Sequence, residues 1–224
     1  AAASAVRELA HKFDCVLCGP GMTVTAGGMQ LVTELLRTDV PLVLDADALN
    51  CMSRLAIGGI EETPEVYRRE APLILTPHNK ELSRLVGDEL VDDLGSAIEA
   101  AQKLVWAAGS DNLVVIAKGP STAIVGVEKV LLPMSGPASL ATAGSGDVLA
   151  GVVAANIAVS HGDIDCWELL CSYAVAVHSY AGHAAAALMG ERSVIATDLI
   201  DVLGEAMNLT EREALRDAGI ELGD

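Results

Sequence analysis

Short aliphatic runs alternate with helix-spaced segments along this chain of 224 residues, and this alternation constrains the fold most strongly. Each run spans a few residues and stops at a glycine or a polar residue, as buried strands of a parallel sheet do. We therefore predict an α/β domain whose mostly parallel central sheet is flanked by helices. The predicted strands are 13–18, 42–44, 73–75 and 113–117, then a hairpin at 122–125 and 129–132; the predicted helices are 28–38, 81–86, 96–108, 147–160, 167–189, 198–207 and 211–217.

Chemically reactive side chains cluster at the predicted carboxyl ends of these strands, where parallel sheets bind their ligands. They are the turn Gly19-Pro20-Gly21, then Asp45 and Asp47, His78, and Lys118. Asp45 and Asp47 could share a metal ion or orient a ligand, or could only cap a turn and face solvent. His78 could hydrogen-bond a substrate while Glu81 holds a helix start or a water on a cation. The alternative is that Thr76 and Glu81 form a helix-start pair and His78 is merely exposed. Lys118 suits a phosphate contact, or could simply lie over the sheet edge.

The stretch from Ser135 to Gly151 reads SGPASLATAGSGDVLAG and places glycine-rich chain directly before a predicted helix. A helix start has backbone N–H groups without partners and a partial positive charge, so it attracts anions. Gly144 and Gly146 let a ligand approach the backbone, and Ser145 is the predicted N-cap. Asp147, an acidic group inside an anion site, indicates proton transfer or a metal contact. The other interpretation is an ordinary glycine loop with an acidic first turn.

The net charge of −17 argues against partners that are themselves polyanionic, namely nucleic acid and anionic membrane surfaces. Serines and the histidines His178 and His183 interrupt the apolar segment 169–189. We therefore predict a buried or interface helix there rather than a membrane span, with both histidines packed. Five cysteines without a dense framework, and no visible signal peptide, indicate free thiols and a cytoplasmic protein.

Five motifs, in this order, resemble the ADP- or ATP-dependent NAD(P)H-hydrate dehydratases of the ribokinase-like superfamily. They are G-P-G, V-L-D-A-D-A-L-N, L-T-P-H-x-x-E-x-x-x-L, K-G-x-x-T and L-A-T-x-G-S-G-D-V-L-A-G. The resemblance runs from about Gly19 to Ala196. Glycine loops of this kind recur across ribokinase-like kinases, whereas the D-A-D-A-L-N and T-P-H-x-x-E motifs ahead of the loop are more specific. The resemblance implies a ribokinase-like fold.

The same resemblance implies repair of a damaged cofactor: hydrated NADH or NADPH is dehydrated while ADP or ATP is consumed, with Mg²⁺ present. A ring hydroxyl is phosphorylated, and phosphate then leaves. Asp147 matches the general base, and the amides of 144–146 match the anion hole. No residue is assigned as a metal ligand. The implied substrate-binding residues are Gly21, Asp45, Asn50, His78 and Asp147; the implied nucleotide-binding residues are Lys118, Gly119, Pro120, Ser121, Thr122, Gly144, Ser145 and Gly146.

The sequence departs from the family pattern in three places. Ala143 replaces a usual glycine, Asn79-Lys80 replaces a usual Pro-Gly, and the family's N-terminal glycine-rich region has no counterpart. The chain opens Ala1-Ala2-Ala3 without Met, so we expect one ribokinase-like domain over 1–224 that is incomplete at its N-terminus. Two other functions stay open: a ribokinase-like kinase of a small hydroxylated metabolite or vitamin, and a non-catalytic nucleotide-binding protein. Alanine-rich helices after Gly151 indicate a homo-oligomer.

Overall fold

The computed structural model describes residues 2–55, 67, 69–87, 89–160 and 166–217. Within these ranges the sheet has six strands in the order β1-β2-β3-β4-β5-β6. Strands β1 to β4 are parallel, while β5 pairs antiparallel with β4 and with β6. The mostly parallel sheet predicted from the sequence is therefore confirmed. The strands are β1 (Val16–Cys18), β2 (Leu42–Leu44), β3 (Leu73–Leu75), β4 (Leu113–Ala117), β5 (Ala123–Val125) and β6 (Val130–Leu131).

Helices cover both faces of this sheet. Alternate residues of a strand point to opposite faces, so Leu42 and Leu44 of β2 pack among the helices before β4, and Val43 packs among the helices after β6. Because both faces are covered, the central strands are apolar throughout. The helices are α1 (Ala2–Ala10), α2 (Ala26–Leu36), α3 (Asp47–Leu55), α4 (Asn79–Leu85), α5 (Leu94–Ala108), α6 (Ser145–Val159), α7 (Trp167–Met189), α8 (Ala196–Asp201) and α9 (Leu203–Asp217), with a 3-10 helix at Ala138–Ala141.

The register of the parallel strands aligns the carboxyl ends of neighbouring strands with one another. Cys18 of β1 is paired with Leu44 of β2, and Leu44 with Leu75 of β3. The chain beyond β3 stays joined to the end of β4, because the Lys118 amide donates to the Pro77 carbonyl at 2.8 Å. The residues that follow β1 to β4 are therefore held at one edge of the sheet.

Several element boundaries differ from the prediction. Strand β1 begins only at Val16, and Phe13 is an exposed residue of the preceding turn. Helices α1 and α3 were not predicted, although Ala48, Leu49, Met52 and Leu55 of α3 repeat at helical spacing. Helix α9 runs without a break across the gap expected between 207 and 211.

Helix α7 is confirmed at its predicted bounds, and its buried residues pack against α6 and α9. No helix within the described ranges is long and apolar enough to span a membrane. All five cysteines are free, as expected. Burial raises the pKa of the Cys18 thiol to about 11, so this thiol stays protonated near neutral pH.

Candidate active site

The turn after β1 passes so close to the end of β2 that it requires glycine. Gly19 has φ +129°, and a Cβ there would lie 1.7 Å from the carbonyl oxygen of Asp45. Gly21 has φ +69° and open space around it, so its requirement is conformational rather than steric. The G-P-G motif therefore brings the exposed turn around Gly21 to the same edge as Asp45.

A buried ion pair joins the ends of β2 and β4. The Lys118 ammonium lies 2.7 Å from Asp45 Oδ1, and the Thr76 hydroxyl donates to the same oxygen at 2.7 Å. The Asp45 side chain is 2% exposed and that of Lys118 is 18% exposed. Asp45, predicted as a substrate contact, is therefore held inside the protein as the partner of Lys118.

His78 forms the N-cap of α4, which neither interpretation of its motif anticipated. Its Nδ1 accepts hydrogen bonds from the amides of Lys80 (3.1 Å) and Glu81 (3.3 Å). The Glu81 carboxylate in turn accepts from the His78 amide at 3.0 Å, which completes a capping box. Since Nδ1 is an acceptor, the proton of the neutral ring lies on Nε2, 3.4 Å from Glu81 Oε1.

Glu81 is a buried carboxyl close to the charged groups of this edge. Burial raises its pKa, while the His78 amide and the nearby Lys118 charge act to lower it. The expectation that Glu81 holds a helix start is confirmed by the bond from His78. The His78 ring itself stays half-exposed, so it is free to meet a ligand on its outer side.

The glycine loop ends in a helix start with no side-chain cap. The N-cap is Gly144, with φ +85°, and Ser145 is the first helical residue, so the prediction of Ser145 as N-cap was wrong. Ser145 instead turns inward and meets His178 of α7. His178 Nε2 lies 3.0 Å from the Ser145 carbonyl oxygen and 3.1 Å from its hydroxyl. The Ser145 amide donates to the Thr142 carbonyl at 3.3 Å, whereas the amides of Gly146 and Asp147 have no acceptor among the described residues and are left for a ligand.

His178 is neutral in this position. The residue is 6% exposed, and burial lowers its pKa to about 4, against a raising effect of the bond to Ser145. A carbonyl oxygen can only accept, so we assign the proton to Nε2. The prediction that His178 is a packed histidine is confirmed, whereas His183 is exposed. No sequence signal connected His178 with Ser145, which lies far away along the chain.

Lys118 also lies against the glycine loop. A Cβ on Gly146 would be 3.1 Å from the Lys118 ammonium, so a side chain there would push that nitrogen away by a few tenths of an ångström. The ammonium thus sits between the Asp45 carboxylate and the start of α6. A fixed cation beside free helix-start amides is the arrangement that binds phosphate groups.

A cavity of about 620 Å³ opens beside this cation. Its walls include Met134, Gly136, Leu140 and Val175, together with His178 and Ser179 of α7. Of the predicted nucleotide-binding residues, six line it: Lys118, Gly119, Pro120, Thr122, Ser145 and Gly146. Ser121 points elsewhere, to a smaller pocket, and its hydroxyl lies 3.3 Å from that of Ser135.

Asp147 lies on the other side of the α6 start. It is exposed and lines a separate apolar groove of about 400 Å³ with Val148, Gly151 and Ile200. Asn50 is half-buried on α3, where its amide nitrogen donates to Asp47 at 3.2 Å and its oxygen accepts from Arg84 at 2.8 Å. The structure therefore gathers six of the eight nucleotide-binding candidates in one cavity, and Asp147 and Asn50 lie outside it.

Comparison with known proteins fixes the family. The Carb_kinase family model, described as NAD(P)H-hydrate dehydratase, matches residues 1–205. The chain belongs to this family. The resemblance drawn from the five motifs is thereby confirmed.

Two relatives indicate how much of a family member this chain represents. The bifunctional NAD(P)H-hydrate repair enzyme Nnr of Salinibacter ruber is 37% identical over 211 residues, which are 91% of this chain and 35% of the relative. The ADP-dependent (S)-NAD(P)H-hydrate dehydratase of Neisseria meningitidis serogroup B is 35% identical over 182 residues, 78% of this chain and 58% of the relative. The chain thus spans little more than a third of the Salinibacter protein and under two thirds of the Neisseria protein.

Solved structures show the same fold. The ADP/ATP-dependent NAD(P)H-hydrate dehydratase of Bacillus subtilis, co-crystallised with ATP/Mg²⁺ and soaked with CoA, has a TM-score of 0.71 at 25% identity, over 91% of this chain and 71% of that one. A ribokinase-like superfamily protein from Enterococcus faecalis has a TM-score of 0.69 at 22% identity, over 92% of this chain and 67% of that one. The ribokinase-like fold expected from the resemblance is confirmed.

The contact between Gly146 and Lys118 leads to a first prediction. In Gly146→Ala the new methyl group displaces the flexible Lys118 side chain rather than the backbone, so the fold survives while the cation moves. We expect affinity for ADP or ATP, measured by calorimetry, to fall about threefold, because the displaced ammonium makes a weaker charge-assisted hydrogen bond. Gly151→Ala is the matched control, because a Cβ there meets nothing within 4 Å. Equal affinities in the two variants would contradict this role of Lys118.

The buried His178 leads to a second prediction, on pH. The folded protein keeps His178 neutral down to about pH 4, whereas the unfolded chain protonates it near its ordinary pKa of 6.5. The unfolded state therefore binds more protons between these values, and the free energy of unfolding falls by about 3 kcal/mol as pH drops through this window. We expect His178→Asn to lose this part of the pH dependence in urea titrations. His183→Asn, at an exposed position of the same helix, should keep it; identical pH profiles for both variants would refute the assignment.

Proposed function

We propose that this chain catalyses the nucleotide-dependent dehydration of hydrated NADH or NADPH. The observation that supports this most is the Lys118 ammonium, fixed by buried Asp45 beside the uncapped start of α6 and opening on the cavity. Fixed positive groups of this kind stabilise a phosphoryl group in transfer. The family to which the chain belongs gives the hydroxyl acceptor as the hydrated nicotinamide ring.

The nucleotide takes the cavity in this proposal. Its terminal phosphate lies against Lys118 and the free amides at the start of α6, and its adenosine extends between the 136–140 segment and α7. Lys118, Gly119, Pro120 and Thr122 line the phosphate side of the cavity. Either ADP or ATP can serve, since the Neisseria relative is named ADP-dependent and the Bacillus structure ADP/ATP-dependent.

Asp147 acts as the general base on the opposite side of the helix start. The ring hydroxyl of the substrate attacks the terminal phosphorus, its proton passes to Asp147, and the bond to the leaving nucleotide breaks. The ring carbon–oxygen bond then breaks with release of inorganic phosphate, while a proton leaves the neighbouring ring carbon, which restores the reduced nicotinamide. Gly21, His78 and Asn50 line the edge along which this substrate lies.

Mg²⁺ fits this edge only as an ion carried by the nucleotide. Among the described residues there is no group of three or more His, Cys, Asp or Glu side chains that could cage a metal. Asp45, Glu81 and Asp147 are the carboxylates near the phosphate position, and the first two already accept bonds within the protein. Mg²⁺ commonly uses one or two carboxylates together with substrate phosphates, where it neutralises phosphate charge.

We also propose that the protein acts in the cytoplasm as a homo-oligomer. Exposed apolar side chains on the helices after β6, among them Val159, Leu188 and Ile200, support the association of copies. A solution mass equal to that of one chain would contradict the proposed homo-oligomer.

The role of Asp147 gives the test of the proposed reaction. We expect Asp147→Asn to lower turnover of hydrated NADH by about 10²- to 10⁴-fold, because a general base is lost, while the affinity for ADP or ATP changes little. Turnover is followed as recovery of the reduced-nicotinamide absorbance, and affinity by calorimetry. Asp111→Asn, an exposed aspartate at the opposite edge of the sheet, is the matched control. An Asp147→Asn variant that keeps most of its rate would exclude Asp147 as the base.

A further inference from the structure

A second pocket with a cationic wall lies beside the candidate active site. It has a volume of about 300 Å³ and is formed by the turn after β1, the outer side of α3 and the last turn of α4. Its lining residues are Val24, Asn50, Ser53, Arg54 and Arg84. None of them belongs to the cavity that contains Lys118, so this pocket is a separate site.

The two arginines of this pocket are cations in a chain of net charge −17. Among the described residues Arg37 pairs with Glu34, and Lys118 pairs with Asp45. Neither Arg54 nor Arg84 forms an ion pair with any described residue. Two like charges on one pocket wall repel each other, so the pocket is stabilised when an anion enters it.

A line of hydrogen bonds fixes one of these arginines relative to the sheet edge. Arg84 Nη1 donates to Asn50 Oδ1 at 2.8 Å, and Asn50 Nδ2 donates to Asp47 Oδ1 at 3.2 Å. Asp47 begins α3 two residues after Asp45, the partner of Lys118. The Arg84 guanidinium is therefore pre-organised and keeps further N–H groups for an oxygen-rich ligand.

The position of the pocket suits the substrate better than the nucleotide. Arg54 lies two turns into α3, about 10 Å along the helix from Asp47. The nucleotide phosphates are already provided for by Lys118 and the α6 start. A dinucleotide whose nicotinamide ring lies near Asp147 also carries phosphate groups farther from the ring. These phosphate groups either lie along the carboxyl-end edge of the sheet or project away from it.

We propose that Arg54 and Arg84 form a phosphate subsite for the dinucleotide substrate. Arginine suits such a subsite because its planar fork matches phosphate oxygens. The phosphate is either the pyrophosphate common to both dinucleotides or the additional 2′-phosphate of the NADP form. This inference rests on the proposed function for the identity of the ligand, and its test is independent of turnover.

The test measures binding of NAD⁺ and NADP⁺ by calorimetry with ADP at saturation, so that the Lys118 cavity is filled. We expect Arg54→Gln, and separately Arg84→Gln, to weaken binding about tenfold. Loss for both dinucleotides identifies the pyrophosphate as the ligand, and loss for NADP⁺ alone identifies the 2′-phosphate. Arg37→Gln is the matched control, because it removes one exposed arginine at the end of α2. Its affinities should equal those of the unaltered chain.

Unchanged affinities in both pocket variants overturn the subsite, and so does a failure of the unaltered chain to bind either dinucleotide. A chain that binds dinucleotides through Arg54 but leaves hydrated NADH unconverted keeps the subsite and refutes the reaction. A chain that converts hydrated NADH and NADPH with unchanged KM in Arg54→Gln keeps the reaction and refutes the subsite.

Discussion

The ion pair between Asp45 and Lys118 holds together the part of the structure on which function depends. Both groups lie at strand ends that are separated by β3, and Thr76 at the end of β3 donates to the same carboxylate oxygen. Burying two charges is costly unless each is paired and hydrogen-bonded. Asp45 is both paired with Lys118 and hydrogen-bonded by Thr76. Removal of either partner would leave an uncompensated charge at the edge of the sheet.

The consequence of this pair is a cation with a fixed position. Lys118 is a flexible side chain, and Asp45 holds its ammonium against Gly146 at the first turn of α6. His178 of α7 holds the same turn through its hydrogen bonds with Ser145. The anion-binding features are thus set before a ligand arrives, which is the requirement for electrostatic stabilisation of a transferring phosphoryl group.

Helix α6 divides the site into two sides. Ser145, Gly146 and Leu149 face the cavity, while Asp147, Val148 and Gly151 face the apolar groove. This division follows from the helical period, because successive residues point about 100° apart. It supports an arrangement in which the phosphoryl donor and the hydroxyl acceptor reach the helix start from different directions, as in-line transfer requires.

The sequence predicted the sheet because its strands are uniformly aliphatic and end at polar residues. It also located the edge at which the candidate residues gather. It could not predict the partner of Asp45, since Lys118 lies 73 residues further along the chain. Nor could it predict that Ser145 meets His178. Helix α3 was not predicted although its apolar spacing is helical, because Asp45 and Asp47 were interpreted as ligand contacts or turn residues that follow a strand.

The measurement that tests the account most directly is conversion of hydrated NADH by the unaltered chain, without nucleotide, with ADP, and with ATP. We expect the reduced-nicotinamide absorbance to recover only when a nucleotide is present, with release of one inorganic phosphate for each NADH formed. Recovery at the same rate without nucleotide would contradict phosphoryl transfer at Lys118 and the α6 start. No recovery, with the nucleotide bound in the cavity, would contradict the dehydration of NADH hydrate by this chain.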